Sequence, residues 1–163
     1  LEAFSEYKKQ NKRFTFYIVG SGPEEKALKN LTKKLNLEKE VVFTGQLNKE
    51  ALGEHYQNSN IYIQGSSYEG LPHVILEAIS HNLSIISTPI GGTNEVLLGG
   101  KNGWIWKLHD SFKPQKSDLI NIIEEMTDNI KKDTFLKQNA MKHLCELFNE
   151  EENLNSYIEI LKK

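Results

Sequence analysis

The sequence predicts an α/β domain, a parallel sheet with helices on both faces, in a chain of 163 residues. Three observations predict it. Short β-branched or aromatic segments alternate with segments whose apolar residues recur at helical spacing. The connections are short, which suits strands that are parallel and covered by crossover helices. And of the loops after the strands, GSGP, TGQL, QGSSYEGLP and TPIGGTN, three carry glycine where a backbone would approach a ligand and three run into a helix start. In such sheets ligands sit outside the carboxyl ends of the strands.

The elements follow in order. Phe14 to Val19 reads as a strand, ended by Gly20-Ser21-Gly22-Pro23. Pro23 serves as a first helical residue, Glu24 and Glu25 suit the first turn, and Ala27, Leu28, Leu31 and Leu35 mark the apolar face. Glu40 to Thr44 is a strand closed by Gly45. Asn48 caps a helix reaching about Gln57, with Ala51, Leu52 and Tyr56 along one side. Ile61 to Ile63 is a strand, residues 65 to 71 a loop, and Pro72 opens a helix to about Asn82. Ser84 to Thr88 is a strand, Pro89 to Gly92 a turn, and Thr93 caps a short helix through Leu98. Trp104-Ile105-Trp106 is a last strand, and from about residue 116 the chain reads as almost entirely helical, with Glu and Lys on the solvated side.

Composition narrows the function classes. Lys plus Arg is 20 and Asp plus Glu is 22, giving a formal charge of −2. With no basic block, the chain carries no electrostatic footprint for nucleic acid. No apolar run approaches the roughly 20 residues of a membrane helix. Cys145 is the single cysteine, so there is no internal disulfide or multi-cysteine metal site, and in its helix it is expected to be a small buried apolar residue. The five histidines show no ligand spacing, and His73 reads as a solvated cap. The polar opening, LEAFSEYKKQNKR, lacks the apolar stretch of a signal peptide, and a start at Leu1 suggests a fragment.

Glu77 lies within Val74-Ile75-Leu76-Glu77-Ala78-Ile79, a helix apolar nearly all round and therefore expected to be buried. A carboxylate there needs donors. A pair of sugar hydroxyls near the ligand-side rim would supply them; so would a structural salt bridge, and a rim-exposed Glu would need none. Glu69, seven intervening residues earlier, is brought by its loop to the same end of the sheet, or is an ordinary exposed glutamate. Gly91-Gly92 before a helix start offers bare N–H groups to a diphosphate, or is a plain turn. Gly20-Ser21-Gly22 resembles the start of a dinucleotide fingerprint, but Glu25 stands where its third glycine belongs, which weakens a hydride-transfer reading.

Taken together, IVGSGPEE, VVFTGQL, NIYIQGSSYEGLPHVILEAISHNLSIISTPIGGTNEVL and GKNGW, in that order over residues 14 to 106, resemble the nucleotide-sugar-binding half of GT-B-fold retaining glycosyltransferases, family 4 (group 1). The resemblance implies a Rossmann-like parallel sheet forming the C-terminal half of a GT-B fold. It implies that Glu77 holds the donor ribose and that Glu69 is the catalytic-site residue facing the transferred sugar. It further implies that Gly70 and Leu71 present backbone to sugar and phosphate, that Gly91 and Gly92 line the donor site, that Gly20 and Gly45 lie near the nucleotide, and that Ser66-Ser67 forms the small-residue turn before Glu69. The implied donor is a UDP- or GDP-sugar, with no catalytic metal and no separate cofactor. The implied reaction is transfer to an acceptor hydroxyl with retention, in bacterial surface polysaccharide or glycoconjugate synthesis.

Two positions depart from the family pattern: Asn82 stands where glycine is usual and Ser84 where proline is usual. Asn tolerates the left-handed conformation of a helix end. The resemblance also makes LEAFSEYKKQ the tail of a first helix, so residues 1–163 are expected to be a single donor-binding domain. Its first strand, the basic pair after that strand, and a preceding acceptor-binding domain are then missing, and the isolated chain is expected to be inactive. The expected partners are the nucleotide-sugar and a carbohydrate or lipid-linked acceptor. The expected location is cytoplasmic or peripheral at the inner membrane. The alternatives are a GT-B nucleotide-sugar epimerase, a Rossmann-type dehydrogenase, and a non-catalytic nucleotide-binding or interaction domain.

Overall fold

The structure is a computed structural model, and it describes residues 1–67, 73–109 and 114–149. The elements are α1 (Glu2–Lys9), β1 (Phe16–Val19), α2 (Glu25–Lys34), β2 (Val41–Gly45), α3 (Lys49–Gln57), β3 (Ile61–Gln64), α4 (His73–Ser80), β4 (Ser84–Ser87), α5 (Thr93–Leu97), β5 (Trp104–Ile105), α6 (Lys116–Asp128) and α7 (Ile130–Leu147). Every strand pairing is parallel: β1 with β2, β3 with β4, and β4 with β5. The α/β architecture is therefore as the alternating sequence pattern predicts. The sheet, however, comes in two pieces, β1-β2 and β3-β4-β5, with no pairing between β1 and β3.

Strand alternation sends side chains to two cores. Beneath the sheets, Phe4 and Tyr7 of α1 and Leu119, Ile120, Ile123 and Met126 of α6 bury against Val41, Ile86 and Trp104, with Phe16, Ile18, Ile61 and Ile63 packed on them. Above, Tyr56, Ile75, Leu76, Ala78, Ile79, Ile85, Val96, Leu97 and Ala140 form the second core, carried by α3, α4, β4, α5 and α7. β4 is the hub: all four of its residues are buried, with Ile86 in the lower core and Ile85 in the upper. Asp133 of α7 ties the helical tail to this hub. It accepts Ser84 Oγ at 2.7 Å and Trp104 Nε1 at 3.1 Å.

Local chemistry explains the element boundaries. Asn48 caps α3 as its sequence position predicts, its side chain accepting from Ala51 N at 2.9 Å. Asn82 adopts φ 61° after α4, and the amides of Asn82 and Leu83 close back on Ile79 and Ala78, the left-handed helix end that asparagine permits. Three expectations are corrected. Pro23 lies in a turn, and α2 starts at Glu25, whose amide bonds the Gly22 carbonyl. Gly92, not Thr93, is the cap residue of α5; Thr93 is the first helical residue and is buried in the turn. Cys145 is exposed, because the side of α7 that reaches the core carries Asp133, Leu136 and Ala140. No helix among the described residues is long and apolar enough to cross a membrane.

Candidate functional site

Within each sheet the parallel strands bring their following loops to one end. There Gly20 and Gly45 lie side by side, with φ of 110° and 68°, and the Gly20 amide donates to the Gly45 carbonyl at 2.7 Å. A side chain is disfavoured by these positive φ values, and the backbone stays bare. The loop after β3 is pinned from beneath: Thr88 Oγ1 donates to the Ser66 carbonyl at 2.7 Å, and the buried Gln64 donates through Nε2 to Ser66 Oγ at 3.2 Å. Ser67 is exposed beyond this anchor. Glu69, Gly70 and Leu71, with Tyr68 and Pro72, lie outside the described residues.

The turn after β4 places Gly91 (φ 52°) and Gly92 before α5. The amides of Thr93, Asn94 and Glu95 are already spent on the carbonyls of Ile90, Gly91 and Gly92. Among the described residues, the Gly91 and Gly92 amides donate no backbone hydrogen bond. The N–H groups open to a ligand are thus those of the glycine pair itself rather than those of the first helical turn.

Glu77 is not buried as the sequence suggests. α4 turns Ile75, Leu76, Ala78 and Ile79 inward and leaves His73, Val74, Glu77 and Ser80 on an exposed stripe. Its carboxylate Oε2 accepts from the Tyr56 hydroxyl at 3.4 Å. No lysine or arginine among the described residues forms an ion pair with it, as none of the salt bridges involves Glu77. Among the described residues nothing supports the salt-bridge reading, and the exposed-Glu reading fits the position. The phenol of Tyr56 is pushed up to about 12 by burial first, then by the Glu77 charge and by the hydrogen bond to it. Tyr56 is the site residue that pattern reading missed. In sequence it is one more apolar-face position of α3, and nothing local says that its hydroxyl meets a carboxylate 21 residues on.

Bare glycine turns and a pinned small-residue loop follow β1 to β4, and the exposed Glu77 lies on α4, the helix after β3. Over residues 1–143 the chain matches the family described as glycosyl transferases group 1. The chain belongs to that family. Among curated relatives, the Vi polysaccharide biosynthesis protein VipC/TviE of Salmonella typhi is 27% identical over 146 residues, covering 90% of this chain and 25% of its own length. The uncharacterized glycosyltransferase MJ1069 of Methanocaldococcus jannaschii is 30% identical over 148 residues, covering 90% of this chain and 36% of its own. This group 1 chain thus spans about a quarter to a third of these relatives. Among solved structures, Alr3699/HepE of Anabaena, in complex with UDP-glucose, superposes with a TM-score of 0.76 at 20% identity, covering 99% of this chain and 43% of that one. That likeness shows a shared fold. Among the described residues, no group of three or more His, Cys, Asp or Glu side chains is arranged to hold a metal ion.

Proposed function

We propose that this chain is the donor-binding half of a retaining, family 4 glycosyltransferase, one that moves a sugar from a UDP- or GDP-sugar to an acceptor hydroxyl. The observation that carries the reading is Glu77, an exposed carboxylate with no cationic partner among the described residues, hydrogen-bonded by Tyr56. A carboxylate in that state accepts the two hydroxyls of a ribose, and hydrogen bonds to an ionised acceptor are the strong ones. The Gly91 and Gly92 amides are suited to an anionic diphosphate. Gly20 and Gly45 let the nucleotide approach the backbone, and Ser67, Gly70 and Leu71 are assigned to the sugar and phosphate. Glu69 is assigned to the transferred sugar as the catalytic-site residue.

In the reaction the bond from the anomeric carbon to the diphosphate oxygen breaks and a bond to the acceptor oxygen forms. The acceptor proton leaves with the departing diphosphate. Fixed dipoles at the glycine turns stabilise the charge gathering there, and binding of the ribose orients the donor. No catalytic metal is assigned to this step. The acceptor, a carbohydrate or a lipid-linked saccharide, is assigned to polypeptide outside residues 1–163, so these residues alone are expected not to turn over. A Vi polysaccharide biosynthesis protein among the relatives supports surface polysaccharide or glycoconjugate synthesis as the setting. The setting assigned is the cytoplasm or the inner face of the membrane, where activated sugars are at hand.

Glu77→Gln tests the reading. In the full-length polypeptide, calorimetry with UDP and with GDP is expected to give at least tenfold weaker binding of the preferred nucleotide, about 1.4 kcal/mol, with unchanged melting temperature. Unchanged affinity returns Glu77 to a purely structural role.

A further inference from the structure

α5 is five residues long, too short to hold a helix by its own hydrogen bonds. A helix also ends in carbonyls that have no partner within it. Here two of them are taken by side chains from elsewhere. Asn102 donates through Nδ2 to the Val96 carbonyl at 2.8 Å. His143 of α7 donates through Nε2 to the Glu95 carbonyl at 3.0 Å, a direction the carbonyl dictates because it can only accept. Asn139, four residues before His143 and on the same side of α7, donates through Nδ2 to the Lys101 carbonyl at 3.1 Å, and so ties down the loop that carries Asn102. Between the held points the chain runs left-handed through Leu98 (φ 46°), Gly99 (φ 64°) and Gly100 (φ 94°). The first of these is not a glycine, and that backbone is disfavoured for it. Val96 before this turn, and Lys101 and Asn102 after it, are the residues held.

Asn102 is 1% exposed, and its Oδ1 has no hydrogen-bond partner among the described residues. A buried amide oxygen in that state lowers stability. What the residue contributes therefore comes from its donor.

The residues so clamped are those that hold the glycine turn. The amides of Glu95 and Val96 both donate to the Gly92 carbonyl, at 3.1 and 3.2 Å. Gly91 (φ 52°) and Gly92 have no side chains with which to fix their own orientation. A tie within the turn, from Asn94 Nδ2 to the Pro89 carbonyl, is longer at 3.3 Å. Two paths thus converge on Gly92. One runs from α7 through His143 and Glu95, the other from the loop before β5 through Asn102 and Val96.

We propose that Asn102 and His143 are positioning residues for the donor diphosphate. Through Val96 and Glu95 they set the Gly92 peptide before a ligand arrives, so the affinity of the glycine turn is governed in part from α7. The inference rests on the assignment of the Gly91 and Gly92 amides to a diphosphate under the proposed function. Neither residue touches the ligand. Both act by preorganisation, because a loosened turn binds an anion less tightly when the ligand must order it.

The test uses the full-length polypeptide. His143→Ala removes one path, and His143→Gln restores a donor. Without nucleotide, hydrogen exchange at the Glu95 and Val96 amides is expected to be roughly tenfold faster or more in His143→Ala, with Ile85 and Ile86 of β4 unchanged and His143→Gln close to the parent. Calorimetry then compares UDP with UMP, or GDP with GMP where guanosine is preferred. His143→Ala is expected to weaken the diphosphate by roughly fivefold or more and the monophosphate by less than about twofold, with most of the difference recovered in His143→Gln. Asn102→Ala is expected to give the larger loss on the diphosphate; where it fails to fold, the His143 pair decides. Faster exchange with unchanged diphosphate affinity overturns the inference, since the clamp then serves the fold alone. So does unchanged exchange. A parent protein that binds the diphosphate no more tightly than the monophosphate is a different failure, visible before any substitution: it removes the diphosphate assignment itself, and the inference with it.

Discussion

The two halves of the sheet solve the same burial problem unequally. In β3-β4-β5, the central strand is buried throughout and feeds both cores. Asp133 adds a polar clasp from α7, with Lys132 lying over the Trp104 ring at 4.6 Å and Lys137 at 3.5 Å from the carboxylate. In β1-β2, one face rests on α1 through an aromatic cluster, with Phe4 stacked on Phe16 at 4.5 Å and tilted on Phe14 at 5.0 Å. The other face leaves Tyr17, Val19 and Val42 exposed. A strand covered on both faces with both edges paired has nothing left to satisfy. One with a bare edge depends on whatever its helix supplies. The glycine turns of the candidate site straddle the two halves, so the site inherits the rigidity of one and the openness of the other.

The largest effect expected from this contrast is in the closed half. Asp133→Ala strips the acceptor from the Ser84 hydroxyl and the Trp104 indole together, leaving two donors unpaired in a buried setting, at a cost of about 3 kcal/mol. A domain of this size loses about 2–4 °C of melting temperature per kcal/mol, so thermal unfolding should fall by roughly 6–12 °C. Asp133→Asn keeps one acceptor oxygen and should lose less. In the open half, Phe4→Leu keeps apolar volume but ends the ring stacking, and about 1–2 kcal/mol is expected. If Phe4→Leu proves costlier than Asp133→Ala, the ranking of the halves is reversed and the aromatic cluster under β1 is the true anchor.

The fold was legible where chemistry is local. Periodicity, the Asn48 cap and the Asn82 turn lie within a few residues of what they determine, and all are found as read. Local reading missed the starts of α2 and α5 by a residue or two, at Pro23 and Thr93, and the larger errors arose where the answer depends on distant partners. Val74 to Ile79 reads as apolar all round, yet the upper core reaches only one side of α4, and among the described residues no second layer covers Glu77. Cys145 fails for the same reason on α7. The split of the sheet is invisible to periodicity, since β1 and β3 each look like ordinary strands and only their relative placement exposes the bare edges. Of the candidate site, the glycine turns and Glu77 could be nominated from sequence. Tyr56 could not, because a hydroxyl that meets a carboxylate across two helices leaves no trace in either helix.

That pairing gives the smallest and most selective prediction. The Tyr56 phenol, raised to about 12 by burial and by Glu77, stays protonated in the folded protein after the unfolded chain has lost that proton near the ordinary 10.0. Between those values the folded state binds more protons. The contribution is complete below pH 10 and is lost as pH rises toward 12, so stability falls across that window. Tyrosinate absorbance should therefore show a late ionisation step, and Tyr56→Phe should remove it. Glu77→Gln should move it downward only in part, because burial, the largest cause, remains. If Glu77→Gln leaves the late step unmoved, Tyr56 is raised by burial alone. The carboxylate is then not steadied from beneath, and the open end of the sheet would have to hold a ligand without that support.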